Sequence, residues 1–107
     1  MPSASDSDSL VLELAGEIDL HQAPQVKAQV DPIIQKKPTR FTVDLSKVDY
    51  MDSSGLALLI EAMQRVQSYG GKFGVFGLSD SVRTIFEIAR LDQIFKIYPD
   101  RETALAA

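Results

Sequence analysis

Phe41-Thr42-Val43-Asp44-Leu45-Ser46-Lys47-Val48-Asp49-Tyr50-Met51-Asp52-Ser53-Ser54-Gly55-Leu56 changes its period partway along. Phe41 to Leu45 alternates as a strand does. From Leu56 onward the apolar residues Leu56, Leu59, Ile60, Met63 and Val66 recur at helical spacing, and Gly70-Gly71 stops the pattern. The polar turn between the two holds Asp52 and Ser53, either of which starts the helix as a cap. A strand that leads through a short turn into a helix is the unit from which α/β domains are assembled.

The same unit repeats on both sides. Upstream, Leu10-Val11-Leu12-Glu13-Leu14 puts three leucines on one face, and Gly16-Glu17-Ile18-Asp19 ends that strand. Asp19 is placed to accept backbone N–H bonds ahead of a helix marked by Ala23, Val26, Val30, Ile33 and Ile34. Pro24 suits a first turn, whereas Pro32 predicts a kink or an early end. Downstream, Phe73-Gly74-Val75-Phe76 reads as a short third strand. Ser79 or Asp80 then caps a helix carrying Val82, Ile85, Phe86 and Ala89. Ile94-Phe95-Lys96-Ile97 reads as a last strand, and Asp100 to Ala106 as a short terminal helix. The alternation predicts one α/β domain over residues 10–107, with a four- to five-stranded, mostly parallel or mixed sheet and about four helices. Residues 1–9, in which serines alternate with aspartates, read as a flexible polar tail.

Composition narrows the function. The chain has 107 residues and a net charge of −4, from 15 acidic and 11 basic side chains. Its longest basic run is the pair Lys36-Lys37, so it lacks a nucleic-acid footprint. Without cysteine, thiolate metal sites and cysteine nucleophiles are excluded, and the single histidine, His21, cannot supply a histidine ligand set. No metal or other cofactor is expected. No apolar run approaches the length of a membrane span, and the acidic N-terminus is the opposite of a signal peptide; a cytoplasmic location is expected.

In parallel sheets, sites gather beyond the carboxyl ends of the strands. Two loops qualify here, Gly16 to His21 and Val48 to Gly55. The second exposes Tyr50 and Met51, then presents two hydroxyls at a helix start, where unpaired N–H groups and a partial positive charge suit an anion. On spacing alone, Asp52, Ser53 and Ser54 are read first as helix caps. A serine hydrolase is disfavoured: the residues two before and two after Ser53 are Met51 and Gly55, which do not form a Gly-x-Ser-x-Gly elbow, and His21 is the lone imidazole. Gly70-Gly71-Lys72 is a helix stop, not a phosphate cradle. The chain reads as a non-enzyme.

Taken as a whole, Val43 to Leu56 closely resembles the signature of STAS-domain proteins, the bacterial anti-sigma factor antagonists. Gly16-Glu17-Ile18-Asp19 resembles the family's first motif. Leu91-Asp92-Gln93-Ile94-Phe95-Lys96-Ile97-Tyr98, followed by Glu102-Thr103-Ala104-Leu105, resembles its C-terminal strand and helix. The resemblance implies partner switching. The unphosphorylated antagonist binds an anti-sigma factor that is also a serine protein kinase; phosphorylation releases it, and a PP2C-like phosphatase resets it. Carried onto this chain, it implies Ser53 as the phosphoacceptor, with Ser54 the second choice. It implies a partner surface of Asp19, His21, Tyr50, Met51, Asp52, Ser53, Ser54, Gly55 and Leu56. A monomer is expected, with no nucleic acid and no membrane insertion. The family's usual extra strand ahead of the first long one is replaced here by the Ser/Asp-rich tail. The alternative expectation is a non-enzymatic STAS subunit of a larger assembly, a lipid-transport complex or a stress-signalling scaffold.

Overall fold

Two helices begin where a short polar side chain closes the first turn, and these caps fix how the strands hand over to the helices. The computed structural model describes residues 9–106. In chain order it contains β1 (Ser9–Ile18), α1 (Ala23–Gln35), β2 (Arg40–Met51), α2 (Ser53–Ser68), β3 (Lys72–Phe76) and α3 (Asp80–Ile88). A 3-10 turn (Leu91–Gln93), β4 (Lys96–Tyr98) and α4 (Arg101–Ala106) complete it. Asp52 caps α2 by accepting from the Ser54 and Gly55 N–H groups, and Ser79 Oγ caps α3 by accepting from Val82 N–H. Gly70, at φ +86°, closes α2 in a conformation that side chains resist.

The four strands lie in the order β1-β2-β3-β4 and every pair is parallel. The α/β expectation therefore holds, with four strands among the described residues. The tail expectation lies outside the described residues except for Ser9, the first residue of β1; so does the question of an additional leading strand.

β2 is central and differs most from its sequence reading, which ended it at Leu45. It runs to Met51 because two bulges let it keep pairing with β1. Glu13 pairs with Asp44 and Ala15 with Lys47, so one residue of β1 faces two of β2. Gly16 pairs with Val48 and Glu17 with Tyr50, which leaves Asp49 as a second extra residue. Each bulge shifts the inward side of the strand by one residue. The buried positions therefore run Val43, Leu45, Val48, Met51, at a spacing of two and then three. β1 is likewise longer than Leu10–Leu14 and continues through the Gly16-Glu17-Ile18 segment.

Leu14 and Ile18 from β1, Phe41, Val43 and Leu45 from β2, and Phe73 and Val75 from β3 pack with Val26, Val30, Ile34, Leu59, Met63, Val66 and Phe86 into one core. Phe41 meets Phe73 edge-on at 5.6 Å, and Phe73 and Phe86 both flank Phe95, at 5.9 and 5.6 Å. α4 packs against β3 and β4. Buried Asp44 accepts from Ser46 N–H at 2.9 Å and lies 3.8 Å from Arg101. The Arg101 guanidinium stands over the Phe76 ring, and Arg40 donates to the Ala104 carbonyl.

Two further expectations are corrected. α1 does not end at Pro32 but continues to Gln35. Pro32 costs one hydrogen bond, to the Ala28 carbonyl, in the last helical turn and on an exposed face, where water replaces it. The last strand begins at Lys96, not Ile94, because Ile94 and Phe95 donate back to the Leu91 carbonyl and close the 3-10 turn.

Candidate functional site

The carboxyl ends of β1 and β2 are neighbours, since Ile18 pairs with Met51, so the two loops singled out by the sequence share one rim. Asp52 binds them together. Its Oδ1 accepts from Ser54 N–H at 2.8 Å and Gly55 N–H at 3.2 Å; its Oδ2 accepts from Leu20 N–H at 3.1 Å. The Asp52 N–H in turn donates to the Ile18 carbonyl at 3.3 Å. One carboxylate thus caps α2 and pins the β1–α1 turn against it.

Asp19 shapes that turn. Its Oδ1 accepts from the His21 and Gln22 N–H groups, each at 3.0 Å, and its carbonyl accepts from Gln22 and Ala23. Asp19 does not cap α1, whose N-cap residue is Gln22 with no side-chain cap; its carboxylate closes the turn just ahead of the helix instead. Gly55 permits the loops to meet: a Cβ there would sit 2.4 Å from the Ile18 carbonyl oxygen, a position no side chain tolerates.

Ser53 is the first residue of α2 and is exposed; its hydroxyl has no hydrogen-bond partner among the described residues. Ser54 is partly buried and its N–H is committed to Asp52. The helix terminus is therefore not the open anion cradle its sequence suggested. Ser54 and Gly55 N–H already serve Asp52, so a phosphate on Ser53 would face solvent beside a carboxylate.

The apolar contacts are redistributed. Tyr50 is 47% exposed, as expected of a docking residue, but Met51 is 1% exposed and belongs to the core. Met51 cannot form part of an outer surface; the second bulge turns it inward. Gly55 is buried too, and Leu56 is half-buried. The exposed apolar residue on this rim besides Tyr50 is Leu20, 67% exposed, with its N–H held by Asp52. Its sequence signal was a leucine inside an otherwise polar turn. His21 is exposed, and among the described residues only its backbone N–H is engaged, so no Ser53–His21 pair exists. No cluster of three or more metal-ligating side chains occurs among the described residues, and no described helix is long and apolar enough to cross a membrane.

The rim thus presents the Ser53 hydroxyl together with exposed Leu20 and Tyr50 and the hydrogen-bonded carboxylates of Asp19 and Asp52. The family model described as STAS domain matches residues 2–104. The chain is 36% identical to an anti-sigma-B factor antagonist of Listeria monocytogenes over 92 residues, 86% of this chain and 81% of that protein. It is 30% identical to an anti-sigma F factor antagonist of Paenibacillus polymyxa over 97 residues, 90% of this chain and 83% of that protein. Its fold superposes on an anti-sigma factor antagonist from Mycobacterium paratuberculosis with a TM-score of 0.82 at 29% identity, covering 90% of this chain and 81% of the other.

Proposed function

The chain belongs to the STAS domain family, and on that premise we propose that it is an anti-sigma factor antagonist that works by partner switching, with Ser53 as its phosphorylated residue. In this reading the unmodified rim docks on an anti-sigma factor through Leu20 and Tyr50, with Asp19, Asp52 and the Ser53 hydroxyl between them. The anti-sigma factor is itself the serine kinase, and a PP2C-like phosphatase removes the phosphate. The chain is a binding protein and a kinase substrate, acting in the cytoplasm as a monomer.

The observation that carries this reading is the setting of Ser53: exposed, unbonded and on a rigid helix start, beside two exposed apolar side chains. Phosphorylation adds about −1.5 to −2 charges at neutral pH. In the free protein, Ser53 is exposed and water solvates that charge. In the complex it would be desolvated next to Asp52, whose carboxylate already occupies the nearby N–H donors. Burying an imperfectly paired dianion costs several kcal/mol, so binding falls while folding is untouched.

The test compares affinities for the anti-sigma factor by calorimetry. Ser53→Ala keeps wild-type affinity and no longer responds to ATP. Ser53→Asp binds at least about a hundredfold more weakly, roughly 3 kcal/mol. A Ser53→Asp protein that binds as tightly as wild type would refute the electrostatic mechanism.

A further inference from the structure

At the opposite end of the sheet, a groove of about 440 Å³ opens at the amino ends of β2, β3 and β4, beside α4. Its volume lies within the range of small-molecule sites. Thr42 and Gly74, paired across β2 and β3, form the floor, and Tyr98 lies against Gly74 so closely that a Cβ there would come within 2.8 Å of its ring.

The charge around this groove is one-sided. Lys72 and Lys96 both line it, and no Asp or Glu does. Lys96 pairs with Gly74, two residues along from Lys72, so strand geometry sets the two Cα atoms about 8 Å apart on one face. Two long side chains at that spacing reach a common anion. Neither lysine forms a salt bridge among the described residues. Asp44, the carboxylate on β2 nearest this end, is already engaged with Arg101. In a chain of net charge −4, two unpaired cations on one apolar slot run against the overall balance. Thr42, only 1% exposed, also lines the groove and adds a hydroxyl to its floor.

We propose that this groove binds a small aromatic acid, its ring against Gly74 and Tyr98 and its carboxylate or phosphate between Lys72 and Lys96, within reach of the Thr42 hydroxyl. The site lies at the strand ends remote from Ser53, and the inference does not depend on the switching mechanism.

The test is an NMR titration of the full-length ¹⁵N-labelled chain with benzoate and with phenyl phosphate. Benzyl alcohol supplies the ring without the charge, and inorganic phosphate the charge without the ring. One or both acids should give saturable shifts at Lys72, Gly74, Lys96 and Tyr98, and which acid does so identifies the anionic group. The Lys72→Gln/Lys96→Gln double variant, altered only at exposed positions, should keep its urea midpoint and bind at least tenfold more weakly. Shifts that do not saturate, that map elsewhere or that survive the double substitution undiminished would overturn the site. So would benzyl alcohol or inorganic phosphate binding as tightly as the acids.

Discussion

Asp52 carries more of the rim than its neighbours do. It is at once the α2 cap and the anchor of the Leu20 amide. Asp52→Ala should lower stability by about 1–2 kcal/mol in urea denaturation, the usual cost of a lost cap. It should also speed hydrogen exchange at Leu20, while Asp52→Asn, which keeps an acceptor, should lose much less. Gly55→Ala should be worse, by about 3 kcal/mol or more, because the added methyl meets the Ile18 backbone oxygen and not a side chain that can turn away. Tyr50 and Met51 separate docking from packing. Leu20→Ser and Tyr50→Ser should each weaken partner binding about tenfold with little change in melting temperature. Met51→Ala should instead cost about 2–5 kcal/mol of stability through the cavity it leaves.

At the scale of elements, what could be read in advance follows from where the information is local. The starts of α2 and α3 and the stop at Gly70 were legible, because one capping side chain or one glycine decides each. The bulges of β2 were not, since they answer to the register with β1, which no local period reports. That single omission misplaced Met51 on the surface. Pro32 misled for a related reason: a proline near a helix end, on an exposed face, gives up a bond that water replaces. Between α1 and α2, Arg65 lies 2.6 Å and Lys27 3.5 Å from Asp31. The Arg65 hydrogen bond, aided by the Lys27 charge, holds the Asp31 carboxyl below the usual aspartate range. Its contribution is therefore complete above the unfolded value and fades as pH falls through the lower folded one. Acid titration of the urea midpoint below about pH 4 should show a shallower fall for Asp31→Asn than for wild type. The effect should be small, because the pair is partly open to solvent, which screens it.

For the whole molecule, a four-stranded parallel sheet in chain order puts the Ser53 rim at the carboxyl ends of the strands and a cationic groove at the amino ends. The rim is rigid because its two loops are hydrogen-bonded to each other, so a charge added at Ser53 changes the surface and not the fold. Ser53→Asp should melt close to wild type even though it binds its partner poorly. The central claim, that this one hydroxyl is the switch, is tested most directly by mapping phosphate by mass spectrometry on the protein isolated from its own cells. The account predicts a single, partial phosphorylation on Ser53. Phosphate confined to Ser54 or to the serines of residues 3–9, or none through growth, starvation and stress, would contradict it.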